Sequence, residues 1–355
     1  MRLLIATDAW LPQINGVVRT LQSVTASLRS MGVVVEVLTP EGFASVPIPT
    51  YSAIRVALPR ASEIARRVEA FVPDVVHIAT EGPIGICARA YCLRRGVPFN
   101  TSFTTKFPEY ISARLPIPES WSYAVLRRFH GAGTMTTVST PSLMAELRER
   151  GFRNLGYWTR GVDTELFRPE RAIDLGLPRP IYASLGRIAV EKNLEAFLSL
   201  DLPGSKVVIG HGPQEEQLKR KYPDVHFLGM MTGETLAAHL AAADVFVFPS
   251  KTDTFGLVQL EALASGLPVA AFPVTGPRDV LGSSPVGVLD WDLRQACLKA
   301  REIPREACRA FALAHSWDAS ARQLLSHAER TATLGSKSRV SMRATQARSR
   351  HQNVT

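Results

Sequence analysis

Short apolar runs alternate with amphipathic stretches along almost the whole chain, and the series begins afresh near residue 180. Strands that are separated by helices pair in parallel, with the helices as crossovers. In the first half "LLIAT" (3–7), "VVVEVL" (33–38), "DVVHIA" (74–79), "VPFNTSF" (97–103) and "TMTTVS" (134–139) read as strands. "GVVRTLQSVTASLRSMG" has helical spacing and stops at Gly32. In the second half the strands are "PIYASLG" (180–186), "KVVIG" (206–210), "VHFLG" (225–229), "VFVFPS" (245–250) and "LPVAAFP" (267–273). "EKNLEAFLSL", "PQEEQLKRKY", "GETLAAHLAAA" and "FGLVQLEALASG" are the helices between them. The joint falls in "GVDTELFRPERAIDLGLPRP" (161–180), which is rich in Pro, Gly and charge. A chain of 355 residues is too long for one comfortable core. The expectation is an α/β protein of two doubly wound, Rossmann-like domains facing a central cleft, one over 1–165 and one over 170–316. A helix at about 317–330 is expected to pack back on the first domain. Residues 331–355 lack apolar periodicity and are expected to form a disordered basic tail.

The net charge of +9 is unevenly spread. Residues 1–165 carry +5, residues 166–330 carry −1, and residues 331–355 carry +5 with no acid at all. Anionic membrane and nucleic acid both suit such a distribution. No zinc-finger spacing or aromatic RNA-binding signature is present, which favours the membrane surface and argues against nucleic acid. No stretch reaches about 18 uninterrupted apolar residues, and "MRLLIATDAW" is too short for a signal h-region, so a cytoplasmic protein is expected. Cys87, Cys92, Cys297 and Cys308 form no C-x-x-C pair and no metal set, and read as buried free thiols in a reducing compartment.

Open α/β sheets bind ligands beyond the carboxyl ends of their strands, so the loops there carry the candidate chemistry. In "DTFGLVQLE" Asp253 or Thr254 is placed to cap a helix, leaving the amides of Phe255, Gly256 and Leu257 as donors at a positive helix end, which suits a phosphate. Gly256 lets a ligand approach the backbone, and Glu261 lies about a turn further on, where its carboxylate would accept vicinal hydroxyls such as those of a ribose. The plainer reading makes Asp253 a cap and Glu261 a solvated helix residue. In "SLGRIAVEKN" a strand ends at Gly186, and Arg187 and Lys192 follow in a loop where two cations would clamp a pyrophosphate. In "VVIGHGP" Gly210 and Gly212 permit close approach by a base or sugar. In the first half Asn15 and Gly16 sit just before a helix, a second possible phosphate contact. Neither G-x-G-x-x-G nor G-x-x-x-x-G-K-[ST] occurs, which argues against a dinucleotide dehydrogenase and a P-loop hydrolase.

Taken together and in this order, "INGV", "GR…EKN", "GHGP" and "DTFGLVQLEALASGLPV" resemble the retaining glycosyltransferases of family four, with the GT-B fold, over roughly residues 1–330. "PDVVHIATEGPIG" and "VSTPSLMAELRERGFRN" further resemble a bacterial branch that includes mannosyl- and glycolipid-forming enzymes. The resemblance implies an acceptor-binding first domain and a second domain for the nucleotide-sugar donor. It implies that Arg187 and Lys192 hold the donor diphosphate, that Glu261 binds the ribose, that Asp253 contacts the transferred sugar, and that Gly16 brings its amide to the phosphate. One position departs from the pattern: in "TSFTTKFPEY" relatives usually have a histidine where this chain has Thr104. A hydroxyl can hydrogen-bond a sugar but carries no imidazolium charge. No cofactor or metal is expected, because the D-x-D pattern of metal-dependent transferases is absent and fixed cations meet the leaving diphosphate.

The acceptor is read from "KFPEYISARLPIPESWSYAVLRRFHG" (106–131). Lys106, Tyr110, Arg114, Trp121, Arg127 and Arg128 mix aromatic and basic character, which suits a membrane interface and equally an amphipathic helix. His77, at a strand end before Glu81 and Gly82, is a candidate to touch ligand in the cleft; His130, at a helix end, suits a structural role as well. A lipid acceptor such as diacylglycerol, taken up at the inner face of the plasma membrane, is the preferred expectation. A soluble glycan acceptor, a catalytically weak or dead nucleotide-sugar-binding protein and an epimerase of the same fold are the alternatives.

Overall fold

The computed structural model describes residues 1–13, 15–48, 51–106, 108 and 118–352. The chain divides into two compact units, one of residues 1–159 with 320–355 and one of residues 160–319.

The first unit is built from β1 (Arg2–Ala6), α1 (Gly16–Ser30), β2 (Val34–Leu38), a hairpin of β3 (Ser45–Ile48) and β4 (Tyr51–Ala57), α2 (Ala61–Phe71), β5 (Val75–Ile78), α3 (Pro83–Arg95), β6 (Phe99–Phe103), α4 (Glu119–His130), β7 (Met135–Val138), α5 (Pro141–Glu149) and β8 (Leu155–Tyr157). Six strands form a parallel sheet in the order β2-β1-β5-β6-β7-β8, and β3 pairs with β4 antiparallel. The interior strands β5 and β6 are buried along their whole length, as expected where helices cover both faces.

The second unit contains β9 (Ile181–Leu185), α6 (Glu195–Leu198), β10 (Ser205–Ile209), α7 (Glu215–Lys221), β11 (His226–Phe227), α8 (Gly233–Ala241), β12 (Val245–Phe248), α9 (Leu257–Ala264), β13 (Val269–Ala271), α10 (Thr275–Leu281), β14 (Gly287–Leu289), α11 (Leu293–Ala300) and α12 (Arg305–Leu313). Its sheet is again parallel, in the order β11-β10-β9-β12-β13-β14. Apolar clusters cover both faces: Ile181, Val207, Phe246 and Leu260 belong to one, Tyr182, Val208, Val245 and Cys297 to the other. The chain leaves β9 in one direction and returns at β12 on its other side, so the order reverses between these two neighbours. A crevice opens at the carboxyl ends of strands where such a reversal occurs. In the first unit the reversal lies between β1 and β5.

The last helix, α13, runs Trp317–Gln352. From Ser320 it belongs to the first unit, where the Trp158 indole N–H donates to the Ser320 carbonyl at 3.1 Å. The Thr331 hydroxyl donates to the Asn100 carboxamide oxygen at 2.6 Å, in the interior. Helix therefore continues where a disordered tail is expected from 331. The sequence shows no apolar stripe there because the anchor is a buried threonine meeting a buried asparagine. Elsewhere β8, β14 and the hairpin are strands that the apolar pattern does not announce, and "EKNLEAFLSL" is a 3-10 turn, Val190–Lys192, followed by the short α6. Cys92, Cys297 and Cys308 are buried free thiols, each pushed up to about 12 by burial, and Cys87 is half-buried. Among the described residues no helix is long and apolar enough to cross a membrane.

Candidate active site

The carboxyl ends of β9 and β12 hold the densest group of candidate side chains. β9 ends at Leu185, and Gly186 and Arg187 follow, half-buried. A Cβ at Gly186 would meet nothing within 4 Å, so the space in front of this strand end is open. The loop then makes its 3-10 turn and ends at Lys192 and Asn193. Asn193 takes a positive φ of 51° and sends its amide to the Pro249 carbonyl at 3.0 Å. Ser250 and Thr252 donate to the Glu191 carbonyl, each at 3.3 Å. These bonds tie the loop after β9 to the loop after β12. Asn193 is the residue that the sequence reading passes over; its signal was the last letter of "EKN", a residue type that tolerates the left-handed region.

Across that seam the Lys192 ammonium meets both carboxylate oxygens of Asp253, at 2.6 and 2.8 Å. This corrects the expected cap: Asp253 is turned toward Lys192, and α9 has no side-chain cap. The cap position is Gly256, in the left-handed region at φ 80°. A Cβ there would crowd the Gln259 amide and the Phe248 ring, so this turn demands glycine. Gln259, fully buried, holds the turn by donating to the Phe255 carbonyl at 2.8 Å. Among the described residues no acceptor takes the amides of Phe255, Gly256 or Leu257. A helix start with open donors carries partial positive charge. Glu261 is buried rather than solvated, at 6 % exposure, on the second turn of α9.

Gly210 and Gly212 are required by the packing of the chain itself. A Cβ at either would collide with backbone of the neighbouring loop, the Gly186 carbonyl for one and Ile188 for the other. The Ile188 amide donates to the His211 carbonyl at 3.1 Å. The close approach that these glycines permit is made by the chain itself, and it fixes the loop that carries Arg187. His211 is bound through Nδ1 to Glu215, which also accepts from Lys219 at 2.8 Å. Those contacts, Lys219 first, hold the Glu215 carboxyl below the usual range.

In the first unit Gly16 is the first residue of α1. The Asn15 side chain caps the helix by accepting from the amides of Val17 and Val18, both at 3.0 Å. At the reversal between β1 and β5 the Asp8 carboxylate accepts from the Ile84 and Gly85 amides at the start of α3, and from the Thr80 hydroxyl at 2.8 Å. Burial raises the Asp8 pKa above its ordinary value, and those hydrogen bonds oppose the rise. No sequence pattern marks Asp8 as a helix cap, because its helix begins more than seventy residues later.

Thr104 follows β6 and is half-buried. His77 and His130 are both buried. His77 is 1 % exposed, with Nε2 2.8 Å from the Ser102 hydroxyl and its ring edge-on to Trp158. A side chain on an interior strand of a sheet covered on both faces packs inward, and in this structure His77 presents no open face. His130 is fully buried between Thr101, at 2.8 Å, and Glu81, at 3.1 Å. Lys106 is paired with Glu146 at 2.5 Å. On α4, Trp121 and Val125 are 70 % and 69 % exposed, and Arg128 continues the same face. Arg127 is exposed and donates to the Arg150 carbonyl at 2.9 Å. Tyr110 and Arg114 lie outside the described residues.

Comparison with known proteins gives the family and the fold. A family model described as Glycosyltransferase Family 4 matches residues 14–166. A second, described as Glycosyl transferases group 1, matches residues 180–296. The chain is 30% identical to a GDP-mannose-dependent alpha-mannosyltransferase of Mycolicibacterium smegmatis, covering 95% of this chain and 99% of that protein. It is 25% identical to the alpha-monoglucosyldiacylglycerol synthase of Streptococcus pneumoniae, over 84% of this chain and 78% of that one. Among solved structures, the sucrose-phosphate synthase of Thermosynechococcus elongatus shares the fold with a TM-score of 0.76 at 19% identity, over 93% of this chain and 98% of that one. Two parallel Rossmann-like halves and relatives matched along nearly the full length converge on one conclusion: the chain belongs to the family 4 glycosyltransferases, on the GT-B fold.

Proposed function

We propose that this chain moves a hexosyl group from a nucleoside diphosphate sugar, a UDP-hexose or GDP-mannose, to a hydroxyl of a membrane lipid of the diacylglycerol type, with retained configuration and without a metal ion. The observation that carries the donor half is the gathering of three kinds of positive group on the joined loops that follow β9 and β12. Arg187 and Lys192 lie on the first loop, the open amides at the start of α9 on the second, and the Glu261 carboxylate is buried on α9. In this reading the bond from the anomeric carbon to the β-phosphate oxygen breaks, and its electron pair stays on that oxygen. Arg187 and the helix amides stabilise the charge that develops there. Lys192 has three N–H donors and shares them between Asp253 and the phosphate. The acceptor oxygen closes on the same face of the sugar, and its proton passes to the departing diphosphate. Asp253 orients the sugar hydroxyls, and Glu261 accepts from the ribose.

A lipid acceptor is supported by the exposed Trp121–Val125–Arg128 face of α4, by the net charge of +9, and by the diacylglycerol in the name of the pneumococcal relative. An indole and a guanidinium on one helix face suit the boundary between headgroups and acyl chains. The inner face of the plasma membrane is then the site of action. Thr104 favours a second reading, a nucleotide-sugar-binding protein of the same fold with little transfer.

Thermal shift with UDP, GDP and their sugars, followed by a transfer assay in EDTA, tests the proposal. The expected result is a shift with one nucleotide series, turnover indifferent to EDTA, and a loss of two orders of magnitude or so in Arg187→Ala. A loss below about tenfold contradicts the role of Arg187. Binding of a sugar nucleotide with neither transfer nor hydrolysis establishes the second reading instead.

A further inference from the structure

A groove in the first unit, about 530 Å³ in volume, runs along β2 at the sheet edge, between that strand and α1. Its size is that of a small-ligand site, and its lining is polar in an unusual way. Gln22, Glu36 and Glu41 line it, and among the described residues their side chains have no hydrogen-bond or ion-pair partner. Thr25 lines it too, with a hydroxyl that is buried and without a partner among the described residues. A helix threonine ordinarily turns its hydroxyl to the carbonyl four residues back, as Thr20 does to Gly16 at 2.7 Å. A buried hydroxyl left unpaired costs free energy, and this one lies within the wall of the groove, closed to solvent. Trp10 closes one side of the groove with a half-buried indole.

We infer that this groove binds a polyhydroxylated ring, a sugar of carbohydrate class, separate from the donor. Two carboxylates accept hydrogen bonds from ring hydroxyls, the carboxamide both donates and accepts, and the indole covers the apolar face of a pyranose. Arg29 also lines the groove, with its guanidinium donating to the Val35 carbonyl at 2.9 Å, and the two carboxylates outnumber it, which disfavours a phosphate or a nucleotide. Trp10 lies in the loop that runs to the start of α1. The Trp10 carbonyl accepts from the Gln13 amide at 3.0 Å, and Asn15, which donates to the Gln13 side chain at 3.3 Å, caps that helix one residue before Gly16. The inference rests on the glycosyltransferase reading for the meaning of the ring: a distal sugar of the acceptor or a free sugar that acts as an effector.

The test uses the full chain with methyl α-D-mannopyranoside and methyl α-D-glucopyranoside, followed by saturation-transfer difference NMR. Ala26→Trp fills the groove from an exposed position of α1, and Glu36→Gln removes one acceptor charge without changing volume. The expected result is a signal in the natural chain that falls about tenfold in either variant, the scale of a lost charged hydrogen bond, with the nucleotide thermal shift unchanged. No signal in the natural chain, or an undiminished one in both variants, overturns the groove. A signal that Ala26→Trp abolishes, in a chain that no nucleotide stabilises, upholds the groove and removes the donor reading. A raised acceptor KM in Ala26→Trp with donor hydrolysis unchanged assigns the ring to the acceptor. A change in turnover on adding the glycoside, lost in Ala26→Trp, assigns it to an effector.

Discussion

Asp8 has been drawn out of water to hold the start of α3, and burial raises its pKa above 3.8 against the pull of its hydrogen bonds. A carboxyl with a raised pKa binds its proton more tightly in the folded chain than in the unfolded one. Its contribution to stability is therefore complete below about pH 4 and declines as pH rises through the folded value. Urea unfolding across that window should show the decline in the natural chain and lose it in Asp8→Asn. Thr104 poses a different question, since a hydroxyl replaces an expected imidazole. Thr104→His should alter transfer rate or sugar preference by about tenfold if the residue lies beside the reacting sugar. An unchanged rate and preference, measured against UDP and GDP sugars, would place the reacting centre elsewhere. Residue identity was a good guide where a charged side chain stays in a loop at a strand end, as at Arg187, which is half-buried after β9. It was a poor one where a polar group is consumed by the protein itself. His77 is polar and ends a strand, yet its partner is a serine on the neighbouring strand.

The start of α9 shows why elements are easier to read than their ends. Its apolar length is plain in "FGLVQLEALASG", and so is the glycine that stops it. The cap is not, because Asp253 is a good local cap that has a better partner sixty-one residues away in Lys192. The left-handed turn at Gly256 takes over the helix start. Gly256→Ala should cost about 1–3 kcal/mol, from the positive φ together with crowding against Phe248. Thermal unfolding should register a fall of several degrees. A change of less than a degree would mean that this turn relaxes readily into another conformation. The parallel strands were legible because burial on both faces leaves continuous apolar runs. β8 and β14, at three residues each, are too short to stand out.

At the scale of the molecule, the two-unit architecture was legible in the restarted strand–helix series. A closing helix is expected over about 317–330; its continuation past 331 was not legible, because the contact that anchors it there joins residues more than two hundred positions apart. The contacts of this helix divide the C-terminal segment by consequence. Removing residues 337–355 takes away five positive charges and lowers the net charge from +9 to +4. It should leave the melting temperature nearly unchanged while weakening adsorption to anionic vesicles in a salt-dependent way. Removing residues 327–355 also deletes the His327 contact to Tyr157 and the Thr331 contact to Asn100. That truncation should lower the melting temperature by several degrees. Equal melting temperatures for the two truncated chains would show that these contacts add little.

Gly210 and Gly212 meet peptide groups of an adjoining loop, so any side chain there would push Arg187 off its mark from behind. Random mutagenesis scored by catalysis would return them as indispensable, alongside groups that grip the substrate. Telling architecture from recognition at such positions takes a folding measurement as well as a rate.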